Sequence, residues 1–301
     1  MPNATTTTID TEPRSLRKLH TMRAPVGKLD LDIAHRHGKS VARHQYHEGA
    51  LRVMRPHYLD DTGQVYYTII NPGGAYFAGD DYHFNINVEE GASMLLTGQS
   101  ATKIYKTPGN YSLQDFDVEL GPDAVLEYIP DQLIAYEDAT YEQHMRVRMH
   151  PSASFLTAEI VTPGWAPDGT LFRYDEIRMR TAIEVGEQLA VVDNLLLRPG
   201  DGTLSSDSLL YLEDQTHFAS LLAVDHRIDQ TLVEELREVM DEHAANYAQT
   251  VHHGITLIDG PGLAVRAIGS YTEDLYGLVT VIGNELRSRF RGQGPLHLRK
   301  Y

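Results

Sequence analysis

In Tyr82-His83-Phe84-Asn85-Ile86-Asn87-Val88 apolar side chains take every second place. No feature of the chain constrains its fold more. A strand with that period puts one face on a core and the other in water, because successive side chains leave opposite faces. The alternation recurs at Phe116, Val118 and Leu120 against Asp117 and Glu119. It recurs again at Met145, Val147 and Met149 against Arg146 and Arg148, and at Ile177 and Met179 against Arg178 and Arg180. Turn-forming clusters punctuate the runs at Asp61-Thr62-Gly63, Glu90-Gly91, Thr107-Pro108-Gly109, Gly121-Pro122-Asp123 and Pro199-Gly200-Asp201-Gly202. Many strands joined by tight turns are expected through the middle of the chain.

The period changes near the C-terminus. After Asp229, a suitable N-cap, Leu232, Val233, Leu236, Val239 and Met240 recur at helical spacing. A second helix is expected from Ser270, with Glu273 completing a capping box and a stripe of Leu275, Leu278, Val279, Ile282, Leu286 and Phe290. Arg287, Arg289 and Arg291 suit its C-terminal dipole, and Gly292 can end it. Gly277 and Gly283 each weaken such a helix by about 1 kcal/mol relative to alanine, which points to close packing or a stabilising partner. Between the helices, Ile255 to Ile258 and Leu263 to Ile268 flank Asp259-Gly260-Pro261-Gly262 and read as a hairpin. No internal repeat or linker interrupts the body. One domain over residues 26–301, preceded by a disordered tail over 1–25, is expected, mainly β with two C-terminal α-helices.

Composition excludes several functions. The chain has 301 residues, 42% hydrophobic and 23% charged, ordinary for a globular protein. No apolar run reaches the roughly 20 residues needed to span a bilayer, so no membrane partner is expected. A formal charge of −16 argues against nucleic acid, since phosphate binding needs a basic footprint. With no cysteine, thiol catalysis, disulfides and thiolate metal sites are out, leaving histidine and carboxylate as metal ligands. The N-terminus lacks the basic-then-apolar order of a secretory signal, and a cytoplasmic location is expected.

Few motifs carry chemistry. The glycine-rich stretch Asn71 to Asp80 lacks the lysine and hydroxyl of a P-loop, so it reads as a turn that holds the Asp80 carboxylate in place. Lys103 and Tyr105 could pair as nucleophile and phenol, but no activating base lies nearby in sequence, and a structural or interface role is favoured. Glu127 sits among Leu126, Tyr128 and Ile129 and, if buried, needs a cationic partner, for which Lys103 and Arg55 are the candidates. His35 with His37, His44 with His47 and His252 with His253 are spaced for borderline metals. They leave open a metal-dependent β-fold enzyme using clustered histidines. No G-x-S-x-G elbow supports a serine hydrolase.

Several blocks occur in a characteristic order: Arg52-Val53-Met54-Arg55-Pro56, Asn71 to Asp80, Leu96 to Lys106, Leu126 to Gln132, and Gly262-Leu263-Ala264-Val265-Arg266 before the last helix. From about residue 25 to the end, the chain resembles the UreD/UreH family of urease accessory proteins. The resemblance implies a non-enzymatic scaffold and metallochaperone with a β-helix-like or sandwich body. It implies nickel insertion into apo-urease, with three partners: the urease apoprotein, an all-helical accessory protein of the UreF type and a GTPase of the UreG type. No tightly bound cofactor is implied; nickel is in transit through an internal passage. On that picture Asp80 and Glu127 are passage or interface residues. Gly73, Gly74, Gly79, Thr102, Lys103, Tyr105 and Pro130 are the family-motif and interface positions. One loop departs from the pattern: Trp165 follows Gly164 and Thr170 follows Gly169, where many relatives carry an arginine and a glutamate. Asp168, Asp175 and Glu176 are the nearby substitutes.

Overall fold

A computed structural model of the chain describes residues 24–200, 212–296 and 298. The tail expected over residues 1–25 falls almost wholly outside the described residues, as do Asp201 and Gly202 of the last turn.

The chain opens with a hairpin of β1 (Gly27–Arg36) and β2 (Lys39–Gly49), then β3 (Arg52–Val53) and β4 (Val65–Ile70). Next come β5 (Asp81–Val88), β6 (Ser93–Gly98), β7 (Thr102–Ile104), β8 (Ser112–Leu120) and β9 (Val125–Tyr128). They are followed by β10 (Leu133–Ala135), β11 (Thr140–Met149), β12 (Ser154–Val161), β13 (Glu176–Val185), β14 (Gln188–Leu197) and β15 (His217–Val224). Helix α1 (Gln230–Ala244), β16 (His252–Leu257), β17 (Gly262–Gly269) and helix α2 (Thr272–Arg291) complete it.

These strands wind into a β-solenoid of about four turns. Each turn runs from one sheet to the other: β4 to β5, β6 to β8, β9 to β11, β12 to β13. One sheet has the order β14-β13-β11-β8-β5-β1-β2, and its central pairs β1/β5, β5/β8, β8/β11 and β11/β13 are all parallel. The other runs β16-β17-β15-β12-β9-β6-β4-β3, parallel between β4 and β12. Antiparallel β2 and β14 cover the two ends of the first sheet, as terminal repeats of a solenoid must. At the corner between the sheets, β7 and β10 form a short third ladder.

In-register stacking explains the period-two sequence. Phe84, Phe116 and Met145 are register partners facing inward, as are Ile86, Val118, Val147 and Ile183. The outward positions make cross-strand ion pairs: Arg146 grips Asp117 bidentately at 2.6 and 2.8 Å, and Arg148 pairs with Glu119. A second core forms where α1 and α2 pack on the outer face of the second sheet, through Leu95, Ile129, Leu221, Leu236, Leu278 and Ile282.

Asp229 caps α1 as expected, accepting from Leu232 N at 2.9 Å. The start of α2 differs. Tyr271 occupies the N-cap without a side-chain bond, and the Ser270 hydroxyl donates instead to Gln215 Oε1 at 2.9 Å. A long-range partner outcompetes the local capping box. Gly292 ends α2 in the left-handed region, at φ 60°. At Gly277 a Cβ would lie 2.7 Å from the hydroxyl of Tyr247, just after α1, so the glycine lets α2 approach that segment.

Parity settles where Glu127 points. Leu126 and Tyr128 face the solenoid interior, so Glu127 between them faces α2. It is 1% exposed, and its partners are Arg287 and Arg291 of α2 rather than Lys103 or Arg55. Gln64 donates to Glu127 at 3.0 Å and accepts from Arg287 at 3.0 Å. Arg287, read from sequence as a helix-end cation, is itself 1% exposed. This buried cluster pins α2 to β9 in the third turn of the solenoid and to Gln64, just before β4, in the first. Removing one partner strands the other in low dielectric, so Glu127→Leu should destabilise by about 3–5 kcal/mol in urea unfolding. The pair Glu127→Leu with Arg287→Met should recover much of that loss, whereas equal damage from both variants would show that the charge pairing is not what holds the helix.

Candidate functional site: a polar column inside the solenoid

The inward face is mostly apolar; beside small hydroxyls at Ser112, Thr157 and Thr181, larger polar side chains follow one line. Tyr82, Gln114 and Gln143 are successive register partners on β5, β8 and β11. All three are buried, and glutamines there need partners. They have them. The Tyr76 hydroxyl donates to Gln114 Oε1 at 2.9 Å, Gln114 Nε2 donates to Gln143 Oε1 at 3.2 Å, and the Tyr141 hydroxyl donates to the same oxygen at 2.9 Å. Gln143 Nε2 donates in turn to Glu159, which reaches in from β12 on the opposite sheet. Polar groups thus run along the solenoid axis, one or two per turn.

Two small chambers adjoin the column. The first, of about 60 Å³, is walled by Gly98 to Lys103 together with Gly74, Gln114, Tyr128 and Pro130. The second, of about 20 Å³, lies between Thr102, Gln114, Gln143, Asp131 and Glu159. By volume they suit a few waters and about one water respectively. The segment Leu96 to Lys106, polar between strands, is therefore chamber wall over its middle part. At the far end Glu159 is the register partner of Ser220, which accepts from Arg266 at 2.8 Å; Arg266 also pairs with Asp193 at 2.7 Å.

Asp80 braces the near end. Its Oδ2 accepts from Phe77 N at 2.8 Å and from the Tyr82 hydroxyl at 3.1 Å, and Asn71 of the chamber wall approaches that hydroxyl at 3.5 Å. One side chain separates Asp80 from the first chamber. Gly74, Thr102, Lys103 and Pro130 line that chamber, whereas Tyr105 points to the outer surface, 37% exposed. Gly73 and Gly79 sit in its turns, donating to Asn71 Oδ1 and to the Tyr111 carbonyl at 2.9 Å each. Glu127 stands apart from the column, on the other face of its sheet. Gln114, Gln143 and Glu159 went unnoticed in the sequence. The signal was present: each is a polar residue at an inward position of a strand whose other inward residues are mainly apolar.

Burial pushes the phenols of Tyr76, Tyr82, Tyr128 and Tyr141 well up, so all are neutral donors at ordinary pH. Burial also pushes the Glu159 carboxyl up to about 7; the Gln143 hydrogen bond opposes this, Asp193 adds to it and Arg266 counters. Glu159 is thus a proton-exchanging group within the column.

The histidine pairs do not assemble. Among the described residues no group of three or more His, Cys, Asp or Glu side chains is disposed to hold an ion. His253 faces Asp241 at 3.7 Å, and His35 and His37 lie at the exposed β1–β2 turn. Of the three acidic neighbours in the loop carrying the departures, Asp175 is exposed and the other two are engaged. Asp168 caps Thr170 N at 2.9 Å, and Glu176 pairs with Arg178 and Arg198. No described helix is long and apolar enough to cross a membrane.

Parallel turns stacked in register around a hydrogen-bonded axial column define a β-solenoid protein. The sequence model described as "UreD urease accessory protein" matches residues 25–300. The urease accessory protein UreD of Actinomyces naeslundii is 49% identical over 275 residues, covering 91% of this chain and 98% of the relative. That of Arthrobacter sp. (strain FB24) is 46% identical over 283 residues (92% and 94%), and that of Paenarthrobacter aurescens (strain TC1) 44% over 279 (91% and 95%). The chain belongs to the UreD family of urease accessory proteins, which are non-catalytic. The histidine-based enzyme is overturned by that membership.

The Glu159 carboxyl has a consequence for stability. Between its ordinary value of 4.5 and about 7, the folded chain holds a proton that the unfolded chain has released. Stability therefore falls as pH rises through that window, by on the order of 3 kcal/mol in full. Glu159→Gln should raise the urea midpoint at pH 8 and leave it nearly unchanged at pH 4.5. Equal shifts at both pH values would mean that the carboxyl titrates normally.

Proposed function

We propose that this protein is the scaffold through which nickel reaches apo-urease, joining the urease apoprotein to a helical UreF-type accessory protein and its UreG-type GTPase. The observation that carries the passage part is the axial column of Gln114, Gln143 and Glu159. A divalent ion in a protein interior needs oxygen or imidazole donors throughout, because unpaired charge there is very costly. It must also leave again, which calls for several weak contacts rather than one closed site. Neutral amides and phenols with a single carboxylate meet both demands.

On this reading nickel is cargo, with no resident site. The chambers hold only a few waters, so the ion exchanges part of its hydration shell for side-chain oxygens as it moves. Glu159 releases a proton when the cation arrives and takes one back when it departs, which its raised pKa makes easy near neutral pH. Asp80 attracts the cation at the near end, by the turn of Gly73, Gly74 and Gly79. Lys103, Thr102 and Pro130 shape the chamber. Glu127 serves the scaffold, holding α2 in place.

Cells expressing the urease operon with and without this gene provide the test. Loss of urease activity at unchanged subunit abundance is expected without the gene. Gln143→Leu and Glu159→Leu proteins should still co-elute with apo-urease yet deliver several-fold less nickel to it, measured by metal analysis of the purified urease. Full nickel loading with both variants would sink the passage, and full activity without the gene would sink the function.

A further inference from the structure

The corner of the solenoid at β7 and β10 carries a second column, on the outside. Phe77, Tyr105, Tyr136 and Trp165 come from four successive turns, aligned by the bridges Tyr76↔Ile104 and Tyr136↔Trp165 and by the pair Ala135↔Ile104. Their ring centroids step by 5.2, 4.6 and 5.0 Å. Phe77 is 47% exposed and Trp165 51%, against the usual tendency to bury large aromatics. Beside them lies an open trough of about 430 Å³, bordered by Glu137, Asp138 and Lys106. Packing does not require this arrangement: the solenoid core is complete beneath it. The backbone is shaped to present it, since at Gly164, with φ +83°, a Cβ would lie 2.3 Å from the Ala135 carbonyl.

We infer that this ladder is a docking site for a proline-rich polypeptide segment bearing a basic residue, held in the polyproline II conformation. Three observations select that occupant. Rungs of a parallel ladder recur about every 4.8 Å, so every second ring recurs after about 9.6 Å. A polyproline II helix repeats after three residues, about 9.3 Å, so prolines three apart meet alternate rings in phase. An extended strand, repeating near 6.7 Å, drifts out of phase within one repeat. The second observation is ring orientation. Neighbouring planes stand at 79°, 72° and 44°, which makes slots between edges and faces rather than the coplanar platform a sugar chain needs. The third is charge. Glu137 is already paired with Arg173 at 2.8 Å, which leaves the exposed Asp138 at the trough's edge to receive an arginine or lysine of the ligand. The docking site stands apart from the nickel column and does not depend on it.

Trp165 is the only tryptophan in the chain, so its emission reports this trough directly. The full-length protein is titrated with a synthetic peptide of repeating proline-proline-arginine, with a glycine-glycine-arginine peptide of equal charge, and with cellohexaose. Saturable movement of the emission to shorter wavelength is expected with the proline peptide alone. Tyr136→Ala should weaken it by about tenfold, and Asp138→Asn should weaken it and flatten its salt dependence. Circular dichroism and the urea midpoint confirm that each variant is folded, and the exposed Asp138 serves if Tyr136→Ala is not. Equal binding of the glycine peptide would reduce the site to charge and overturn the proposal. So would a response to the sugar instead, an emission shift on concentrating the protein alone (a second copy filling the trough), or no response to the proline peptide.

Discussion

Parallel stacking in register places each residue of one turn over its counterpart in the next, about 4.8 Å away. Every feature of this molecule is a consequence. Inward apolar residues form continuous columns, which make the core without any one turn burying its own face. Outward charges meet their complements at the same height, so Arg146 lies beside Asp117 and Arg148 beside Glu119. Such surface pairs contribute little each, yet they define register by penalising a slip. A single polar side chain per turn is enough to build an axial column, and a single aromatic at the corner is enough to build a ladder.

The same geometry keeps two columns apart that a smaller fold would have to mix. The polar column runs inside, where its hydrogen bonds are strong because water is scarce. The aromatic ladder runs outside, where large rings remain available. Between second sheet and helices, the Glu127 cluster with Arg287, Arg291 and Gln64 fixes α2. Burying three charges there stabilises little in net terms, but any single loss is severe. Such a cluster favours one placement of the helix over sliding alternatives, because no other register pairs all three.

Much of the fold was legible along the chain. Tyr82 to Val88, Phe116 to Leu120 and Met145 to Met149 announced half-buried strands, and Asp229 and Gly292 marked helix ends that the structure retains. The solenoid was not legible as a repeat, because stacked positions share chemistry rather than identity: Phe77 over Tyr105 over Tyr136 over Trp165, or Gln114 over Gln143. Ser270 shows the opposite failure. A sound local capping signal yielded to Gln215, distant in sequence but adjacent in space.

By itself the sequence determined the strands, their turns, the two helices, the exclusion of thiol chemistry and the family, because each depends on local pattern or on ordered motifs. Only the tertiary structure decided which residues share a column. It turned Glu127 away from the interior and toward two arginines more than a hundred residues later, and it brought Glu159 to Gln143 across the solenoid. Alternation tells that two neighbours face opposite ways; it does not tell what lies opposite either of them until the turns are stacked.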